Sequence, residues 1–323
     1  MAKTVSEKSS TPLPSKRITL LDVVRGGALV AMAIYHFAWD LEFFGWLASA
    51  TTLQGGWLYF ARSIASSFLF LVGVSLVLAH SQKYRWPTFW RRFAQVAGAA
   101  AAISVVTWFA MPGGLIFFGI LHAIALFSLL GLLFVQRHWI LPLLTAAIVL
   151  MVWKFFRHDL FYTPALWWVG LAHKPPPAND YVPMFPWFAA VLLGIATTGW
   201  LQTRDVWHRI AAIKVNRIAE RPLSFIGRHS LIFYLVHQPI LLALIWVFTS
   251  FVMAPDHTAR FSESCQSGCV KSRSATFCTS YCSCMITEMK REKLFTPYVR
   301  RKLTDTQNTS LLTTRDLCVA RQE

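Results

Sequence analysis

The sequence predicts an all-α polytopic membrane protein with about seven transmembrane helices and a small cysteine-rich C-terminal extension. Three observations lead to that class. More than half of the residues are hydrophobic, with Phe and Trp abundant and charged residues scarce. Apolar stretches long enough to cross about 30 Å of hydrocarbon recur near 18–46, 56–79, 93–112, 114–135, 139–156, 183–202 and 230–254. The charges between them are gathered into short segments.

Residues 1–17 are polar and rich in Ser, Thr, Lys and Pro, without an apolar core or a small-residue cleavage site, and read as a disordered cytoplasmic leader. The first span is too long, and too charged on one face, to be a discarded signal peptide. The fifth span is the shortest and carries Lys154, so its ends are the least defined. Small residues from Gly98 to Ala102 suit the third span to close helix approach. Lys174-Pro175-Pro176-Pro177 forms a stiff connector, and Pro183 and Pro186 sit where a sixth helix begins and Pro is tolerated. The domain reading is therefore a leader at 1–17, a transmembrane domain at 18–254 and an extracytoplasmic tail at 255–323.

A net charge of +16 could point to nucleic acid, but its distribution argues against that partner. Lys3, Lys8, Lys16 and Arg17 precede the first span; Lys83, Arg85, Arg91 and Arg92 follow the second; Arg204, Arg209, Lys214, Arg217, Arg221 and Arg228 separate the sixth from the seventh. With alternating sides all three clusters fall on one face, the pattern of a cytoplasmic surface. Some of the same residues could also touch anionic lipid or nucleotide.

Candidate functional residues lie at membrane depth. Asp22, Arg25, His36 and Asp40 share one stripe of the first helix roughly 60° wide, and a line of ionisable groups on an apolar helix must face protein or a wet cavity. Arg25 lies about two turns inside the cytoplasmic end, where a guanidinium suits a phosphate-bearing molecule. His36 lies about 16 Å further along by helical rise. With Asp40 one turn away to orient it, His36 suits proton transfer. Arg62, with Ser63, Ser66 and Ser67, stands in the second span, His122 in the fourth, and Ser230, Tyr234 and His237 on one face of the last. Arg62, His122, Tyr234 and His237 are assigned to a substrate cavity. Each also has a plainer reading: Arg25 as an anchor or partner of Asp22, Asp40 as an interfacial group, the His and Tyr residues as bonds between packed helices. No glycine-rich phosphate loop, HExxH motif or nucleophile elbow occurs, and no metal is expected.

All six cysteines follow residue 254: Cys265, Cys269, Cys278, Cys282, Cys284 and Cys318. Two Cys-x3-Cys pairs place their thiols one helical turn apart. Two such helices folded back on each other would allow Cys265 with Cys282 and Cys269 with Cys278, leaving Cys284 with Cys318, one of many pairings six cysteines permit. Zinc is the rival reading; no His lies among them, and disulfides are favoured.

Arg25-Gly26, Ala28, Met32, Tyr35-His36-Phe37, Trp39-Asp40-Leu41, Phe68 to Gly73, Gly119-Ile120-Leu121-His122, Pro183-Met184-Phe185-Pro186-Trp187, and Gly227-Arg228-His229-Ser230-Leu231 through His237-Gln238-Pro239 together resemble the heparan-alpha-glucosaminide N-acetyltransferase catalytic-domain family. The likeness is to its compact bacterial members and covers roughly 17–250. More distantly, the Arg-Gly…Tyr-His pattern resembles the broader transmembrane acyltransferase superfamily. The resemblance implies a bacterial inner-membrane enzyme that moves acetyl from cytosolic acetyl-CoA to an amine or hydroxyl of a glycan or amino-sugar acceptor. It makes His36 the essential histidine, Arg25 its accompanying arginine, and the lipid bilayer the setting; a homodimer is compatible with it. The chain lacks the large luminal domain of the lysosomal enzyme, so heparan need not be the acceptor. The alternatives are a proton-coupled transporter using the same His, Asp and Arg residues, although no internal repeat is evident, and a non-enzymatic membrane partner whose tail is the working part.

Overall fold

The computed structural model describes residues 18–48, 50–111, 113–204, 206–211, 213, 216–252, 257–270, 272–292 and 305–321. The leader at 1–17, Lys214, and the tail's basic residues Arg300, Arg301 and Lys302 lie outside them. Every regular element among the described residues is helical: α1 (Thr19–Phe44), α2 (Gly55–His80), α3 (Trp86–Ala110), α4 (Ile120–Val135), α5 (Ile140–Phe155), α6 (Met184–Thr203), α7 (Trp207–Ala211), α8 (Arg217–Arg228), α9 (Ser230–Val247), α10 (His257–Cys269), α11 (Ala275–Arg291) and α12 (Asp305–Ala320). A π-helical turn, Phe248–Val252, extends α9.

Five of these helices, α1, α2, α3, α6 and α9 with its extension, are long and apolar enough to cross a membrane. This modifies the expectation of seven. The fourth and fifth apolar stretches fold as helices of 16 residues each, about 24 Å at 1.5 Å per residue, short of the hydrocarbon thickness. The α4 stretch loses its first turns because Gly113 to Gly119 runs as an irregular segment before the helix starts at Ile120. Large apolar side chains stand exposed along α3 (Val105, Val106, Trp108, Phe109) and α5 (Leu141, Leu144, Ile148, Met151). Contiguous apolar faces of that size are foreign to a water-facing surface and natural against lipid.

The chain divides into two compact units, one comprising the segments Met1–Met32 and Ala61–Leu235, the other Ala33–Phe60 and Val236–Glu323. The first has its core where α2, α4, α5 and α6 meet: Leu69 and Val77 from α2, Phe127 from α4, Ala146 from α5, and Val191 and Leu192 from α6 are almost wholly buried. Close approach occurs at Gly73 and Gly194. A Cβ on Gly73 would strike the Val191 carbonyl of α6, and one on Gly194 would strike the Phe70 carbonyl of α2. In the Gly98–Ala102 run, Gly98 itself has open space beside it, whereas Ala99 and Ala100 are buried against Leu121 and Ala125 of α4. Small residues permit close crossing, but only a facing helix makes use of them. The segment entering α6 is pinned to the start of α4: the Val182 amide donates to the Phe118 carbonyl at 3.1 Å, and the Ile120 amide donates to Asp180 Oδ2 at 2.8 Å.

In the second unit, α10 and α11 pack together, as do α11 and α12. Disulfides join Cys265 to Cys282, Cys269 to Cys278 and Cys284 to Cys318, the pairing that two folded-back Cys-x3-Cys helices allow. Glu288, buried on α11, receives Arg321 from beyond α12 at 3.1 Å and Arg291 at 2.8 Å.

Candidate functional site

The second unit holds a polar cluster within two of the candidate spans. His36 and Asp40, one turn apart on α1, meet His237 and Gln238, adjacent on α9. His36 Nδ1 lies 2.8 Å from His237 Nε2, the ring centroids 4.9 Å apart. Gln238 Nε2 donates to Asp40 Oδ1 at 2.6 Å. Asp40 is fully buried and His237 nearly so, whereas His36 retains some exposure. Two buried oxygens here, Asp40 Oδ2 and Gln238 Oε1, have no hydrogen-bond partner among the described residues. An orphaned acceptor in a dry place costs about 1–3 kcal/mol, so both oxygens suit a group that brings N–H or O–H donors.

Asp40 was expected to orient His36. Sequence periodicity sets the two on one stripe but cannot tell which side chains the stripe meets, and the amide of Gln238 takes the carboxylate while His237 takes the imidazole. Glu42, also buried, is fully engaged: its oxygens accept from the amides of Ala50 and Thr52 and the Thr52 hydroxyl at 2.7–2.9 Å, holding the turn that follows α1.

In the first unit, Arg25 lines a cavity of about 80 Å³. Its Nη2 donates to Ser75 Oγ at 3.0 Å and its Nη1 approaches Asp22 Oδ1 at 3.3 Å. The Asp22 pairing anticipated as the plain reading is thus present, and the guanidinium still borders the cavity. Arg92, Ser230 and Tyr234 line it too, among apolar walls that include Leu29, Phe68 and Ile124, with no carboxylate among the lining residues. Two guanidiniums and several hydroxyls around one small space favour an anionic guest.

The other sequence-chosen residues fall elsewhere. His122 sits in the first turn of α4, where Nδ1 accepts from the Gly119 amide at 3.3 Å. Its Nε2 faces Ser104 Oγ at 3.1 Å. Because that hydroxyl donates to the Ile116 carbonyl at 2.6 Å, His122 is the donor, and both its nitrogens are committed to holding the irregular segment before α4. Arg62 is exposed on α2, and neither residue lines the cavity of Arg25 and Tyr234. Outside the helices, burial pushes Asp180 up to about 6 despite the Ile120 amide that favours its charged form. Among the described residues, no group of three or more His, Cys, Asp or Glu is gathered to hold a metal.

Sequence reasoning missed Gln238, Arg92 and Ser75. Gln238 adjoins His237 in a motif already noted, but helical spacing puts neighbours about 100° apart, which removed it from the chosen face. Arg92 belongs to a basic cluster that reads as a topology signal, and Ser75 has no distinguishing pattern.

The profile of the family described as heparan-alpha-glucosaminide N-acetyltransferase, catalytic, matches residues 17–239. The chain belongs to that family. The match includes α1 through the turn of α9 carrying His237 and Gln238 and leaves the cysteine-rich helices outside. No curated protein and no solved structure matches the chain. Family membership, the apolar helices and the disulfides make it a multi-pass membrane transferase with a disulfide-bonded C-terminal extension.

Proposed function

We propose that the chain moves an acetyl group from cytosolic acetyl-CoA to an amine or hydroxyl of a glycan-like acceptor, using His36 as its reactive base. The observation that carries this reading is the His36–His237 pair. A hydrogen bond between two imidazoles engages one nitrogen of each. With His36 Nδ1 as donor and His237 Nε2 as acceptor, His36 Nε2 carries a lone pair. As the acceptor nitrogen or oxygen attacks the thioester carbon, His36 Nε2 takes its proton. When the C–S bond breaks, that proton passes to the departing thiolate, giving acetylated acceptor and CoA thiol. The alternative order, in which His36 Nε2 itself first carries the acetyl group, uses the same nitrogen.

Asp40 takes a role different from the one its spacing suggests. Its Oδ2 and the Gln238 Oε1 receive N–H or O–H donors of the acceptor beside His36. Arg25 grips donor phosphate oxygens, with Arg92 as a second guanidinium. Incubating the purified chain with acetyl-labelled CoA, with and without a panel of amino sugars and glycans, tests the assignment. Label should pass to an acceptor or to the protein. Intact donor in every mixture would reject the reading, and proton-coupled uptake by proteoliposomes would replace it with transport.

Two expectations accompany it. In Arg25→Lys, acetyl-CoA affinity should fall by about tenfold, because ammonium loses the planar fork that grips two phosphate oxygens. Affinity for a desphospho analogue should fall less; equal affinity of both proteins for both ligands would remove Arg25 from donor binding. The tail should lie outside the cytoplasm, where disulfides persist. In intact cells, an impermeant thiol reagent should label it only after an impermeant reductant is added. Labelling without reductant would reject the oxidised tail, and none after reduction would put the tail inside.

A further inference from the structure

We infer that α8 is a docking surface for anionic phospholipid, lying along the membrane boundary between the spans α6 and α9. The helix is strongly two-sided. About its axis, at roughly 100° per residue, Leu223 and Gly227 fall on one side and pack on the first turns of α1. A Cβ on Gly26 would meet the Leu223 carbonyl, and one on Gly227 would meet the Asp22 carbonyl. That backbone-to-backbone contact fixes α8 at the end of a spanning helix.

The opposite side is an arc of roughly 100° that mixes two chemistries in order. Arg217, Arg221 and Arg228 occupy one edge, and Ile218 and Phe225 follow. Ile218 is 84% exposed and Phe225 61% exposed, high values for large apolar residues on a helix whose other face is packed. Among the described residues, the Arg217 and Arg221 side chains make no ion pair or hydrogen bond; Arg228 turns back to Ser224. A row of free guanidiniums beside an apolar strip, on a helix held at a membrane end, matches a lipid phosphate above and acyl chain below. A free phosphate would use the guanidiniums and leave Ile218 and Phe225 in water, so the lipid is the better complement.

Native mass spectrometry of the full chain, titrated with palmitoyl-oleoyl phosphatidylglycerol or the matching phosphatidylcholine, tests the inference. The anionic lipid should bind more tightly. In R217Q/R221Q that preference should fall about 30-fold, the loss expected when two basic groups leave an anionic surface, with phosphatidylcholine binding unchanged. I218S/F225S, which keeps every charge, should also weaken the anionic lipid. Glycerol 3-phosphate and acetyl-CoA should not displace it. Equal binding of the two lipids, an unchanged preference in R217Q/R221Q, an unchanged affinity for the anionic lipid in I218S/F225S, or displacement by the soluble phosphates would overturn the inference. The readout needs no catalytic activity and is separate from the proposed reaction.

Discussion

In His36→Ala, acyl transfer should fall by about 10²- to 10⁴-fold, the range over which a positioned base accelerates proton transfer, while the purified protein keeps its size-exclusion profile. Full turnover would remove His36 from the reaction. Companion variants separate the roles around it. His237→Gln keeps a side-chain oxygen able to accept from His36 Nδ1 and should retain more turnover than His237→Leu, which frees His36 to adopt the wrong tautomer. Asp40→Asn should chiefly raise the acceptor KM, because an amide replaces one acceptor oxygen with a donor at the proposed acceptor site. A loss confined to kcat would return Asp40 to orienting His36.

Gly194→Val should prevent recovery of a monodisperse protein. The new side chain would collide with the backbone carbonyl of Phe70, at the point where α2 and α6 cross, and a backbone group cannot swing aside as a side-chain tip can. Overpacking of this kind costs roughly 3 kcal/mol, a large share of the stability of a small domain. Gly98→Val, the same change in another spanning helix with open space beside it, should leave thermal unfolding within about a degree of the original. Indistinguishable melting of the two variants would mean that the α2–α6 crossing is not as close as the structure shows.

The contrast between these glycines also shows what sequence can disclose. Both read as small residues in apolar helices, and only the position of a neighbour separates them. The helical class, the long spans and the cysteine pairing were legible because each rests on local periodicity or composition. The polar stripe of α1 was legible as a stripe, but its partners were not. Arg25 bonds to Ser75 within the first unit, while His36 and Asp40 bond to α9 within the second. The partners of Asp40 and His36 were hidden for that reason: one helix's periodicity holds no information about another's side chains. His122 looked functional because intramembrane histidines are rare, yet it serves the irregular backbone before α4, whose existence the continuous apolar run at 114–135 concealed.

The double junction between α1 and α9 constrains how this chain can change over evolutionary time. Two residues a turn apart on one helix answer two consecutive residues on the other, so altering Gln238 alone removes the donor held by Asp40, and altering His237 alone removes the neighbour of His36. Positions 36, 40, 237 and 238 should therefore be inherited as a set. Relatives that keep the set can be expected to keep the chemistry even where the rest of the membrane domain has drifted, and relatives that break one member should carry a matching change at its partner.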